Sequence, residues 1–92
     1  MKLTWTRKAT HDLLTIGDYI ARDNPRKARE HLNQIVQKTR RALQFPRSGR
    51  IVPEFSDPLT REIIFGNYRI VYRIEKSNIS VLTVFEGHRL LL

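Results

Sequence analysis

No cysteine occurs among the 92 residues, so neither a disulfide nor a thiolate metal site can staple this chain. A fold of this size must then draw its stability from one hydrophobic core. Long apolar runs are missing too. No stretch approaches the roughly 18 apolar residues of a membrane span, and residues 1–7, MKLTWTR, lack the apolar run of a secretory leader. The expectation is a single cytoplasmic domain over residues 1–92 with no membrane partner. There is no glycine-rich phosphate loop, and His11, His31 and His88 fall on different segments without paired metal spacing. No metal or cofactor is implied.

Acidic residues are scarce as well: 9 Asp and Glu face 17 Lys and Arg, a net charge of +8. The imbalance is confined to one half. Residues 1–50 carry 12 basic and 4 acidic side chains, whereas residues 51–92 carry 5 of each. A one-signed field on half of a small protein attracts polyanions, whether nucleic acid, ribosome or an acidic protein. The alternative is a solvated face that only keeps the chain soluble.

What is present divides cleanly by period. Residues 2–7 alternate as a strand, with Leu3 and Trp5 on one face. Thr6 can cap a helix whose stripe is Ala9, Leu13, Ile16 and Ile20, ending near Asp23. Asn24-Pro25 starts a second helix, since Asn caps free amides and Pro fits the first helical position. Its stripe is Ala28, Leu32, Ile35, Thr39 and Ala42, and Phe45-Pro46 stops it. Two helices joined so tightly fold back as a hairpin. Residues 47–60 show neither period and read as a surface loop. Residues 61–65 are a strand, Gly66-Asn67 is a type II′ turn, and residues 68–75 are the partner strand. A last strand spans residues 79–86. The order β-α-α-β-β-β predicts an α+β domain with the helical hairpin on one face of a mostly antiparallel sheet.

Alternation puts Tyr68, Ile70, Tyr72 and Ile74 under the helices and leaves Arg69 and Arg73 on an open face. Arg61 opens the neighbouring strand, His88 and Arg89 follow the last one, and Glu54 in the loop can approach the same face. Arginines with one His and one Glu suit phosphodiester chemistry, because guanidinium forks bind phosphate oxygens while His or Glu moves protons. The same residues also suit ordinary cross-strand ion pairs, the part expected of Arg73.

The segment FPRSGRIVPE at residues 45–54, followed by REIIFGNYRIVYRI at residues 61–74, resembles the RelE/ParE toxin superfamily. Trp5, the Asn24-Pro25 joint and the Glu86-Gly87-His88-Arg89 ending share in the likeness, which runs over nearly the whole chain. The resemblance implies the toxin of a type II toxin–antitoxin pair, of the plasmid-stabilisation kind, neutralised by a small acidic cognate antitoxin. Operator DNA would be met only through the complex with that antitoxin.

Two activities follow from the likeness. RelE- and YoeB-like members are ribosome-dependent endoribonucleases that cut mRNA without metal and stop translation. On that pattern Arg69 would hold the scissile phosphate and Arg61 would be a second phosphate ligand. Glu54 would be the general base on the 2′-OH and His88 the general acid. Lys38, Arg40, Arg41 and Arg89 would face RNA or the ribosome. ParE-like members instead poison DNA gyrase without chemistry of their own. A degenerate toxin that binds only antitoxin and operator is the third expectation.

Overall fold

Thr6 closes a strand and opens a helix. In the computed structural model, which describes residues 1–87, β1 (Lys2–Trp5) runs into α1 (Arg7–Ala21). The Thr6 hydroxyl accepts from the Ala9 amide at 3.0 Å and donates to the Leu82 carbonyl at 3.0 Å, so one side chain caps the helix and ties it to the sheet. Asn24 repeats the device, its Oδ1 accepting from the Lys27 amide at 3.1 Å at the head of α2 (Pro25–Gln44).

The sheet has five strands in the order β1-β5-β4-β3-β2, where β2 is Arg50–Ile51, β3 Thr60–Phe65, β4 Tyr68–Ile74 and β5 Asn78–Glu86. β1 lies parallel to β5 and every other pair is antiparallel. This is the α+β architecture expected, with two helices on one face of a mixed sheet. Residues 47–60 are more ordered than the loop predicted for them. Pro46–Ser48 forms a 3-10 turn, and β2 pairs with β3 through Arg50 to Glu62 and Ile51 to Arg61. A two-residue strand is too short for its period to register in sequence.

Gly66 sits at φ +58° and Asn67 has no positive φ, the signature of the type II′ turn that joins β3 to β4. The helices bury Ala9, Ile35 and Ala42 against Ile70, Tyr72, Ile79, Val81 and Val84. Tyr72 also locks the 3-10 turn: its hydroxyl donates to the Pro46 carbonyl at 2.6 Å and accepts from the Gly49 amide at 3.2 Å. A Cβ on Gly49 would lie 2.6 Å from that hydroxyl and 2.8 Å from the Glu62 carbonyl, so only glycine fits there.

The second face of the sheet is not open. Residues 52–59 lie over it, with Glu54 bonded to Arg69 and Asp57 to Arg73, and Val71 and Glu62 beneath are buried. Arg69 itself is only 6% exposed. The alternation that places it opposite the helices is observed, but the loop supplies a second cover that no periodicity announces.

Candidate functional site

Arg69 leaves β4 opposite Ile64 of β3 and Phe85 of β5. Its guanidinium lies 5.1 Å from the Phe85 ring centroid. Its three nitrogens all reach carboxylates: Nε donates to Glu62 at 2.6 Å, and Nη1 and Nη2 donate to the two oxygens of Glu54 at 2.8 and 2.7 Å. The Glu62 side chain is wholly buried, and its other oxygen accepts from Nε of Arg50. The result is a chain of alternating charge, Arg50-Glu62-Arg69-Glu54, running from the sheet edge to the loop.

Electrostatics follow the contacts. The hydrogen bonds from Arg69 hold the Glu54 carboxyl at about 2, and the same bonds push the Arg69 guanidinium further up. A carboxylate so strongly acidified is a poor proton acceptor near neutral pH. The fork that would grip a phosphate is already filled.

The other residues singled out in the sequence do not all converge here. Arg61 shares the helix side of β3 with Ile63 and Phe65. Its guanidinium is bonded to the carbonyls of Pro58, Arg47 and Gly49 at 2.9, 3.1 and 3.0 Å. It braces the turn before β2 and does not meet Arg69. His88 and Arg89 lie outside the described residues. Lys38, Arg40 and Arg41 stand on α2, where Arg40 and Arg41 are exposed. Lys38 and Arg41 also line a depression with Arg50 and Glu62 at the β2–β3 edge. Arg73 takes the structural part, its Nη1 donating to Asp57 at 2.6 Å and to the Thr60 hydroxyl at 3.2 Å.

Glu62 escaped the sequence reading, yet the turn contains the signal. Once Gly66-Asn67 is a two-residue hairpin, Phe65 faces Tyr68 and Glu62 faces Val71, which makes Glu62 the diagonal neighbour of Arg69 on one face. His31, which has no paired metal spacing in the sequence, has a packing role. It packs between the rings of Phe65 and Tyr68, at 5.4 and 5.3 Å. Its Nε2 is the one buried side-chain polar atom without a hydrogen-bond partner among the described residues. Also among the described residues, no three His, Asp or Glu side chains group as a metal site, and no helix is long and apolar enough to cross a membrane.

Comparison with known proteins agrees with this architecture. A solved structure described as the chromosomal ParDE TA system from P. aeruginosa superimposes with a TM-score of 0.78 at 28% identity, covering 94% of this chain and 95% of that one. The YoeB/ParE toxin from Agrobacterium tumefaciens shares the fold, with a TM-score of 0.60 at 22% identity over 94% of this chain and 98% of its own. Among curated proteins, the Sinorhizobium fredii protein named "Putative toxin Y4kP" is 32% identical over 90 residues, 96% of this chain and 90% of its own length. The model of the ParE toxin of the type II toxin–antitoxin system parDE matches residues 3–91. Within the RelE/ParE superfamily that the sequence resembles, the chain therefore belongs to the ParE toxin family of type II toxin–antitoxin systems.

Proposed function

We propose that this toxin acts as a poison of DNA gyrase and not as a ribonuclease, held in check in the cytoplasm by a small acidic antitoxin. Membership of a toxin–antitoxin family brings the cognate antitoxin; the gyrase target is the finer reading. The observation that carries it is the occupancy of Arg69. A transition-state phosphate ligand needs free N–H donors aimed at the reacting oxygen, whereas each nitrogen of this guanidinium is bonded to a carboxylate. Phosphate would have to displace a bidentate, charge-assisted pair. The base expected to take the 2′-OH proton is the acid partner of that same pair, and Arg61 is turned to the other face. A binding protein needs none of these groups free.

The experiment sets two purified systems side by side. Added to gyrase and relaxed plasmid, the toxin is expected to block supercoiling and trap cleaved DNA. Added to a ribosome-programmed translation extract, it is expected to leave mRNA uncut by primer extension. Ribosome-dependent cleavage abolished by Arg69→Ala in a folded protein would overturn the proposal in favour of the nuclease. Inactivity in both systems, with antitoxin still bound, would leave a degenerate toxin that serves only its antitoxin and operator.

A further inference from the structure

The outward face of α2 has no place in the ion-paired site. Along the helix Arg26, Arg29, Asn33, Gln37, Arg40 and Gln44 recur at the helical period and are all exposed. They span about 27 Å at 1.5 Å per residue. The helix carries six basic side chains against one acidic, Glu30, which is paired with Arg26. Between Glu30 and Glu54 the sequence has no carboxylate. Beside this stripe Gln34, Lys38 and Arg41 join Asn33, Gln37 and Arg40 in lining a depression of about 740 Å³ whose floor is Phe65. Two chemistries are thus interleaved: guanidinium and ammonium groups, which hold phosphates, and carboxamides, which present a donor and an acceptor together.

We infer that α2 is a duplex-DNA-binding element, laid in the major groove with Lys38, Arg40 and Arg41 on phosphates and Asn33 and Gln37 toward base edges. Several properties of the face converge on that ligand. A major groove about 12 Å wide admits a helix, and side-chain amides and guanidinium forks are the groups that match adenine and guanine edges there. Phosphates position and amides read, so both kinds are needed on one face. Duplex RNA fits poorly, because its major groove is too narrow and deep for side chains to read. Single strands are held by exposed aromatic platforms, and the only aromatic side chain of this depression, Phe65, is packed against the core and His31. This goes beyond the gyrase reading and does not depend on it: the contact is with the DNA itself, and it needs no antitoxin.

The test is fluorescence anisotropy of the full chain on a labelled 20-base-pair DNA duplex, with the same sequence as duplex RNA and as single-stranded DNA. The DNA duplex is expected to bind most tightly. Methyl green in the major groove should compete, and netropsin in the minor groove should not. Each phosphate neutralised on B-DNA contributes a slope of about −0.9 in log K against log salt. Lys38→Glu, Arg40→Glu and Arg41→Glu together should therefore flatten the slope by nearly 3. Between 50 and 200 mM salt the native chain should then lose about 40-fold more affinity than the variant. Circular dichroism checks that the variant is folded, and Lys38→Gln, Arg40→Gln and Arg41→Gln serve if it is not. Equal affinity for the RNA duplex, competition by netropsin alone, or an unchanged slope in the folded variant would each overturn the proposal. Gyrase inhibition is read separately, so its failure leaves this result intact, and the reverse.

Discussion

Arg69 is the hinge of the ion-pair chain because it faces two carboxylates in different surroundings. Glu62 is wholly buried, while Glu54 retains 26% of its side-chain exposure. Removing the guanidinium strips a buried charge of a partner, a loss that costs about 3 kcal/mol or more. Removing the more exposed charge costs far less, because water screens it. Arg69→Ala is thus expected to lower urea-unfolding stability by about 3 kcal/mol and Glu54→Gln by much less; equal effects would refute the burial argument. Two titrations separate along the pH axis. Burial, then the charge of Lys27, lowers the His31 imidazole from its ordinary 6.5. The fold prefers His31 neutral, so this contribution is complete above 6.5 and is lost as pH falls below it. Glu54 is lowered from 4.5 to about 2, so its contribution is complete above 4.5 and is lost between 4.5 and about 2. Stability against pH should fall in two stages, the upper abolished by His31→Gln and the lower reduced by Glu54→Gln, with Asp57, held below its ordinary range by the Leu59 amide and Arg73, supplying the rest. A single stage untouched by His31→Gln would exclude the imidazole as its source.

Among the elements, α1 is held to the sheet by a carboxylate at a strand irregularity. Val71 pairs with Thr83 but Tyr72 with Val81, so Leu82 is the extra residue of a β-bulge in β5. Asp12 reaches that point, its Oδ2 accepting from the Thr83 hydroxyl at 2.5 Å and from the Val84 amide at 3.1 Å. Asp12→Ala leaves both donors without their acceptor and should cost about 1–3 kcal/mol, with faster hydrogen exchange at the Val84 amide; unaltered exchange there would show that the amide finds another acceptor. The helices, their caps at Thr6 and Asn24 and the Gly66-Asn67 hairpin were legible because each rests on a local rule of spacing, capping or turn geometry. The Asp12 anchor was half legible: it lies at i+3 from Ala9 inside the apolar stripe, where an acid needs a partner, but the partner is 71 residues away. The loop over the second face was not legible at all. Its order comes from Glu54 and Asp57 meeting arginines 15 and 16 positions further on, contacts that no local period encodes. The expected cluster of Arg61 with Arg69 failed for a simpler reason: the Phe65–Tyr68 pairing sets odd positions of β3 beside even positions of β4, so Arg61 shares a face with Tyr72 while Arg69 shares the other with Glu62 and Ile64.

At the scale of the molecule, charge and chemistry are divided. The carboxylates of the site neutralise Arg50, Arg69 and Arg73, so the excess of +8 is felt mainly around the helical hairpin. Such a field raises the rate at which an oppositely charged partner arrives, while the lifetime of the complex depends on the packed contacts formed afterwards. An acidic antitoxin should therefore capture this toxin with an association rate that falls steeply with salt and a dissociation rate that barely moves. Long-range steering weakens as the Debye length shrinks from about 10 Å at 0.1 M to about 3 Å at 1 M, which sets the range to explore. Biolayer interferometry across that range gives both rates. The variant with Lys38, Arg40 and Arg41 changed to Glu should associate at least about 10-fold more slowly at low salt and converge on the native rate at 1 M, if steering is electrostatic. An association rate independent of salt in the native protein would mean that the antitoxin is drawn by apolar surface instead. The exposed Leu14 and Tyr19 of α1 would then be the first side chains to replace.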